Sequence, residues 1–496
     1  MRDVANKTES ERRMAMGGTG GTGRTDALGE QERQAFAERL ARELGAEHTL
    51  AGAQVATYAI QGRVPAVVAR PVEIAGVAAA LRLAAEVGAS VVPWGGGAEM
   101  DLGYPPRQCD LVLSLERMTR TLTYDPADLT LTTEVGVTHA ALAQTLGANR
   151  QTLPFDAPLA HRSTLGGALA TGFAGLRRAF YGAPRDLTLG MRVVDASGTI
   201  LKSGGQVVKN VSGYDMGKLY IGSLGTLGVI VEASFKLMPL PEAEATVIGV
   251  AHTLHAAQSA AEAIERLAVR PSAVVALHIN ALPELARLTP GYERRALLVA
   301  RLPGAAAAVE RGVGEVEEAM RAARVDPALS LDGETNDAFW QAASDFLRVA
   351  PDPADGADDA LLRLSILPME CIAALEAAQT LASEHGLALA WLADLATGVI
   401  WVRLRAGPAS ESEHSLEAPT QTPSGSSGDF ARALIAAHTA LTRRWRNVTL
   451  LRCPSAIKPH VALWGADPAG LDLMREIKGR FDPRHLLNPG RFVGGI

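Results

Sequence analysis

Four glycine clusters carry the clearest chemical signal in this chain of 496 residues. The first, Pro93-Trp94-Gly95-Gly96-Gly97-Ala98, opens from a short apolar stretch, Ser90–Pro93. Glycines reach φ > 0 and turn successive N–H groups to one concave side, which suits phosphate oxygens; a plain tight turn uses the same residues. The second, Ser163–Gly172 (STLGGALATG), mixes small residues with hydroxyls. It suits close approach of a flat or charged ligand, or equally a tightly packed helix start. Asn210–Asp215 and Gly222–Ile230 complete the set.

Other patterns carry less. Gly18-Thr19-Gly20-Gly21-Thr22-Gly23 fits a dinucleotide fingerprint by letter, but a polar, charged stretch precedes it where a strand is needed. The expectation is a disordered leader over 1–35. Those residues have no apolar core for a signal peptide, so Arg12-Arg13 is not read as an export signal. Gly213 to Lys218 falls short of a P-loop in both glycine spacing and the residue after Lys. Cys109, Cys371 and Cys453 are scattered, so no metal or iron–sulfur site is expected, and a reducing, cytoplasmic setting fits them. A formal net charge of -6 argues against nucleic acid as a partner. No window reaches the roughly 18 apolar residues of a membrane span.

These clusters need elements to hold them. Ile74, Val77, Leu81, Ala84 and Ala85 repeat at helical spacing before a capping Gly88. Strands are expected at Ser90–Pro93, Leu111–Leu113 and Leu129–Glu134, a Thr138-capped helix over His139–Leu146, and a hairpin over 187–202. From 243 the pattern changes to Ala-rich helices (His255–Leu267, Ala305–Arg324) alternating with strands (Ala273–Ile279, Ala296–Arg301), a separate α+β domain. The polar stretch 407–428 reads as a flexible insertion, and Leu471–Phe481 as a last amphipathic helix.

In order and spacing the clusters resemble the vanillyl-alcohol oxidase type of flavoprotein, the PCMH-type FAD-binding fold, over 65–241 and Phe481–Gly490. Thr164–Asp186, Val208–Asp215 and Asn488–Phe492 are most similar to the FAD-binding E subunits of glycolate oxidase. The resemblance implies an α+β fold: a two-subdomain FAD-binding domain over 36–242, a cap over 243–445, and a C-terminal segment over 446–496 that closes on the flavin. It implies FAD held by Pro93, Trp94, Gly95, Gly96, Gly97 and Ala98; by Pro154, Thr164, Leu165, Gly166, Gly167, Thr171, Gly172 and Gly175; and by Arg185, Gly213, Tyr214 and Asp215. Gly225, Gly228, Val229 and Ile230 would meet the ring edge or adenylate, and Asn488 would close the pocket. Gly97-Ala98-Glu99-Met100 offers no tethering His, so the FAD is expected to be non-covalent.

Oxidation of a 2-hydroxy acid needs a base for the hydroxyl proton and a cation for the carboxylate. The matching cap stretch, Leu387–Trp401, lacks the metal-binding His of related dehydrogenases. Four catalytic candidates remain: His161, Arg403, Lys458 and His460. Each has a plainer reading: a loop cap for His161, a solvated strand face for Arg403, a surface lysine and a satisfied histidine for the other two. Arg177, Arg178 and Arg185 serve FAD or pair with Asp186. The resemblance implies an oxidoreductase acting on 2-hydroxy acids, with a second FAD subunit and an iron–sulfur subunit as partners and any membrane contact made through them. The alternatives are an electron-transfer or assembly subunit without turnover, and the FAD subunit of another oxidoreductase.

Overall fold

The structure, a computed structural model, describes residues 28–205, 214–278, 281–282, 296–351, 358–407 and 427–496. Gly18–Gly23 and most of the insertion at 407–428 lie outside the described residues. The folded part starts inside the expected leader: Glu30–Leu44 is a helix that buries Phe36 and Leu40, four residues apart on one face. The Gly29 amide donates to Glu32 Oε2 at its start.

The first subdomain is a small sheet in the order β1 (Thr49–Ala51), β2 (Val67–Ala69), β4 (Leu111–Ser114), β3 (Val91–Trp94). β2, β4 and β3 run parallel. The helix Ile74–Val87 connects β2 to β3, burying Val77, Leu81 and Ala84 and ending at Gly88 with φ 77°. Pro93 fits because β3 lies at the sheet's edge, where a missing N–H breaks no central ladder. That edge is covered by the tail: Val91 N–H donates to Leu486 O at 2.8 Å, and Asn488 N–H donates to Val91 O at 2.8 Å.

The second subdomain is an antiparallel sheet of β5 (Thr121–Asp125), β6 (Thr130–Glu134), β10 (Val229–Lys236), β8 (Thr188–Val194) and β9 (Ile200–Gly204), in that spatial order. Both subdomains share one apolar core, from Leu81 and Leu111 to Leu131, Val231 and Phe235. A two-stranded ribbon, β7 (Gln151–Thr152) with β11 (Met238–Pro239), leads to the cap.

The cap is an eight-stranded sheet. It comprises β12 (Ala243–Ala251), β13 (Ala273–His278), β14 (Ala296–Gly304), β15 (Val325–Asp332), β16 (Asp359–Ser365), β17 (Leu387–Asp394), β18 (Val399–Ala406) and β19 (Val448–Arg452). Successive residues along each strand face opposite ways, and both faces are apolar because both alternating sets are. Val274 and Ala276 face one way, onto the helices Ala306–Ala322, Cys371–Glu384 and Ser427–Arg444. Val275 and Leu277 face the other, meeting Leu102, Leu176 and Leu224 of the first domain. The cap is thus packed onto the first domain through part of one sheet face, the rest of which is covered by its own helix Gly333–Phe346 through Phe339, Trp340 and Phe346. β19 corrects the expected boundary: Val448–Arg452 pairs with β16, so the returning tail begins after it, not at 446. Burial of Val448 and Leu450 on the helix-covered face holds that strand in the cap.

Candidate functional site

At the end of β3 the chain turns through Gly95–Ala98 and runs against the Arg162-Ser163-Thr164 turn. A Cβ on Gly96 would overlap the Arg162 carbonyl, and one on Gly95 would overlap Thr164 Oγ1. The close approach therefore requires glycine at both positions. Gly97 adopts φ 75°. Among the described residues, the amides of Gly95, Gly96, Gly97 and Ala98 donate to no protein acceptor. A row of unused donors in a concave loop is a cradle for oxyanions, and it fits a pyrophosphate.

The facing wall is the short helix Leu165–Thr171, whose first turn is tied by Gly167 N–H to Thr164 Oγ1 at 3.3 Å. Gly166 N–H donates to Val135 O at 2.8 Å, and a Cβ there would press on Val135. His139 N–H donates to Ser163 O at 3.1 Å, fixing the turn to the next helix. Burial holds the His139 ring neutral, its pKa lowered to about 4. The Gly222–Gly225 loop hangs on the same short helix through Leu224 N–H to Ala170 O at 2.8 Å.

The tail closes the space. Asn488, in the left-handed region at φ 48° and buried, donates from Nδ2 to Leu224 O. Its Oδ1 accepts from Arg491 at 3.4 Å. Arg491 is buried and donates to Met100 O and Leu102 O at 2.6 and 2.9 Å. Burial lowers its pKa to about 10, so it stays charged at neutral pH. Lys478, also buried, donates to Thr226 O, Leu487 O and Asp482 Oδ2 at 2.6 to 2.9 Å. One ammonium thereby locks the tail beside the Gly225 loop.

These loops enclose an open pocket with about 800 Å³ of atom-free space. It is lined by Pro93, Trp94, Gly95, Gly96, Gly97 and Ala98; by Thr164, Gly166, Gly167 and Thr171; and by Gly225, Val229, Ile230 and Asn488. Glu99, Met100, Leu115, Val135 and Arg491 line it as well, unnamed as FAD contacts from the sequence, together with Ser163, Ala170 and Leu224 from within the glycine clusters. Of these, Arg491 had a signal, its place directly after Asn488-Pro489-Gly490. The rest of the expected set is elsewhere. Leu165 and Gly228 are packed inside, Gly228 against Val193 and Tyr220, because small or apolar residues there serve the core. Pro154 is buried but does not line the pocket. Gly172, Gly175 and Arg185 line a neighbouring cleft. Tyr214 is 91% exposed and Asp215 pairs with Lys218 at 3.5 Å, so neither reaches the pocket. Gly213 lies outside the described residues.

The four catalytic candidates are not brought together. Lys458 is fully buried rather than on the surface, donating to Asp101 O and to Gly103 O at 3.0 Å beneath the glycine loop. Its segment is a 3-10 turn rather than extended, which leaves His460 exposed. Arg403 is buried on β18, not solvated, with Nε 2.7 Å from Asp359. His161 is exposed beside a different cavity. Arg177 pairs with Asp156 at 2.6 Å; Asp186 instead accepts the Ala183 amide at 2.8 Å.

Comparison with known proteins reads the same loops. A family model described as FAD binding domain matches residues 65–204, and one described as FAD linked oxidases, C-terminal domain matches 460–492. p-Cresol methylhydroxylase has the same fold, with a TM-score of 0.69 at 16% identity over 94% of this chain and 97% of that one. The chain carries an FAD-binding domain. Alkyldihydroxyacetonephosphate synthase also shares the flavoprotein's fold (TM-score 0.68, 18% identity, 94% and 86% covered). Among curated relatives, glycolate oxidase subunit GlcE of Escherichia coli (strain K12) is 42% identical over 121 residues, 24% of this chain and 35% of that one. Glycolate oxidase subunit GlcD of Bacillus subtilis (strain 168) is 30% identical over 240 residues, 48% and 51% of the two chains. D-2-hydroxyglutarate dehydrogenase of Xanthomonas citri is 36% identical over 177 residues, 36% and 38%. The match thus spans about a third to a half of the length of each of these relatives.

Glu99 gives the flavoprotein a pH response. Burial pushes its carboxyl up to about 8, so it is protonated at neutral pH and would place no negative charge in the pocket that FAD phosphates would enter. The sign follows: the folded chain keeps a proton the unfolded chain releases, so stability falls as pH rises from the ordinary carboxylate range to about 8 and levels off beyond it. FAD affinity would instead fall above about 8, where the folded chain's Glu99 ionises and would oppose the phosphates. FAD titrations from about pH 7 to about pH 9 should show weakening of up to about ten-fold per unit above the pKa, absent in Glu99→Gln. Parallel curves for the two proteins would contradict this.

Proposed function

We propose that the chain is the FAD-binding subunit of a glycolate oxidase-like complex that oxidises 2-hydroxy acids to 2-oxo acids. The observation that carries the reading is the row of unused amides at Gly95–Ala98, closed over by Asn488 and Arg491 from the tail. Bound FAD would supply the acceptor for the hydride that leaves the substrate Cα as the hydroxyl proton departs. The chain's own residues hold and orient it. The Gly95–Ala98 amides would take the pyrophosphate oxygens, and Arg491 adds a fixed positive charge on the same side. Gly166, Gly167 and Gly225 leave flat walls for a planar ring, and the apolar Leu115, Val135, Val229 and Ile230 exclude water from it.

The FAD is held non-covalently in this reading, since no histidine is among the described residues that line the pocket. Likeness to GlcD and GlcE supports assembly with a second FAD subunit, and an iron–sulfur subunit would carry electrons onward. The test is anaerobic mixing of the FAD-loaded chain with glycolate, D-lactate or D-2-hydroxyglutarate. Loss of the oxidised flavin absorbance with at least one of them is expected. Bleaching only after co-purified subunits are added would make this an electron-transfer or assembly subunit, and none under either condition would reject hydroxy-acid oxidation.

A further inference from the structure

A second cavity meets the FAD pocket at Thr171, between the FAD-side domain and the cap, with about 940 Å³ of atom-free space. Three guanidinium groups line it: Arg178 and Arg185 from the FAD side and Arg363 from β16. Arg363 alternates with Leu362 and Leu364, so it shares the face of Leu361 that meets the first domain, in register with Trp401 of β18. Its Nε is buried with no hydrogen-bond partner, and among the described residues no carboxylate pairs with Arg363. Arg178 likewise has no acidic partner among them, and Arg185 spends one N–H on Ile221 O at 3.1 Å. Burial first, then the Arg178 charge, lowers the Arg363 pKa.

Among the described residues the one carboxylate lining the cavity does not answer these charges. Asp394 is spent on its own turn, accepting from Ala396 N–H and Thr397 N–H at 3.1 Å each and from Thr397 Oγ1 at 2.6 Å. Further out, Arg178 also borders a surface cavity rimmed by Arg444 and Arg446, whose one carboxylate among the described residues, Glu370, accepts the Leu367 amide at 3.3 Å. Within a chain of net charge -6, this cleft is a local concentration of positive charge leading inward to the FAD pocket. A monocarboxylate can engage one guanidinium bidentately and leaves its neighbour uncompensated; two carboxylates answer two.

We propose that Arg363 and Arg178, with Arg185 beside them, select a small dianion here, a 2-hydroxy acid bearing a second carboxylate, over a monocarboxylate. The proposal rests on the hydroxy-acid reading above for the identity of the ligand, and on the arginine cluster for its charge. The experiment is calorimetric titration of the FAD-loaded full chain with malonate and with acetate, neither of which is an oxidisable hydroxy acid. Malonate should bind at least about ten-fold more tightly, and Arg363→Gln or Arg178→Gln should each remove at least about ten-fold of that affinity with FAD retained. Arg178 is exposed, so its variant decides the matter should Arg363→Gln fail to fold. Equal affinities for the two anions, or unchanged malonate binding in Arg178→Gln, would overturn the proposal. Malonate selectivity without bleaching by any hydroxy acid would leave the dianion site standing and sink the redox reading instead.

Discussion

Gly96→Ala should yield a folded chain that no longer holds FAD. The added methyl would overlap the Arg162 carbonyl, which belongs to the backbone and cannot swing away as a side chain tip would. Relief requires the Arg162–Thr164 turn and the Gly95–Ala98 loop to part, and that separation destroys the spacing of the amide row. Overpacking costs of this kind run to about 1–3 kcal/mol in stability. The cap, with its own apolar layers on either side of an eight-stranded sheet, does not depend on this contact. We expect FAD affinity to fall by at least about 100-fold, equivalent to about 2.8 kcal/mol, with far-UV circular dichroism unchanged. Gly147→Ala is the control: a Cβ at this helix-terminal glycine meets nothing within 4 Å, and its variant should bind FAD as the wild type does. Normal FAD binding by Gly96→Ala would contradict the cradle.

The second large effect is expected from Lys478→Met. Lys478 and Asp482 form a buried pair at 2.6 Å, and the same ammonium satisfies the carbonyls of Thr226 and Leu487. Burial lowers the lysine's pKa, while Asp482 holds its proton in place. Truncation leaves a buried carboxylate without its cation, a loss of about 3–5 kcal/mol. Asp482 also accepts the Leu486 and Leu487 amides at 3.0 and 2.8 Å, so the damage travels directly to Asn488, the next residue. Thermal unfolding should shift sharply downward, and FAD should dissociate faster at temperatures where the variant remains folded. A lowered melting temperature with unchanged FAD affinity would make the pair merely structural.

What the sequence disclosed and what it hid divide along physical lines. Gly95–Gly97, Gly166-Gly167 and Gly225 are legible because close backbone approach demands glycine locally, whatever lies across from it. The helix ending at Gly88 and the cap at Thr138 are legible for the same reason: each is decided within a few residues. Buried charges are not. Arg403 reads as one face of an alternating strand, and only the fold brings Asp359, far away in the chain, to within 2.7 Å of it. Lys458 and Lys478 look like surface lysines until the fold supplies buried carbonyls for them to satisfy. Tyr214 and Asp215 sit in a glycine-containing motif of the expected kind, yet they lie outside the pocket. Motif membership did not specify which side of the loop they would occupy. Arg363 was invisible for a related reason, since a lone arginine in an apolar strand does not disclose the cleft it faces.

The decisive measurement for the whole account is the flavin itself. Wild-type chain, stripped and titrated with FAD, should take up one equivalent with quenching of flavin fluorescence, and denaturant should release it intact as free FAD. Gly96→Ala, prepared alongside, should leave the added FAD in solution. A wild-type chain that stays colourless in excess FAD would contradict the account. So would a flavin that remains attached after denaturation.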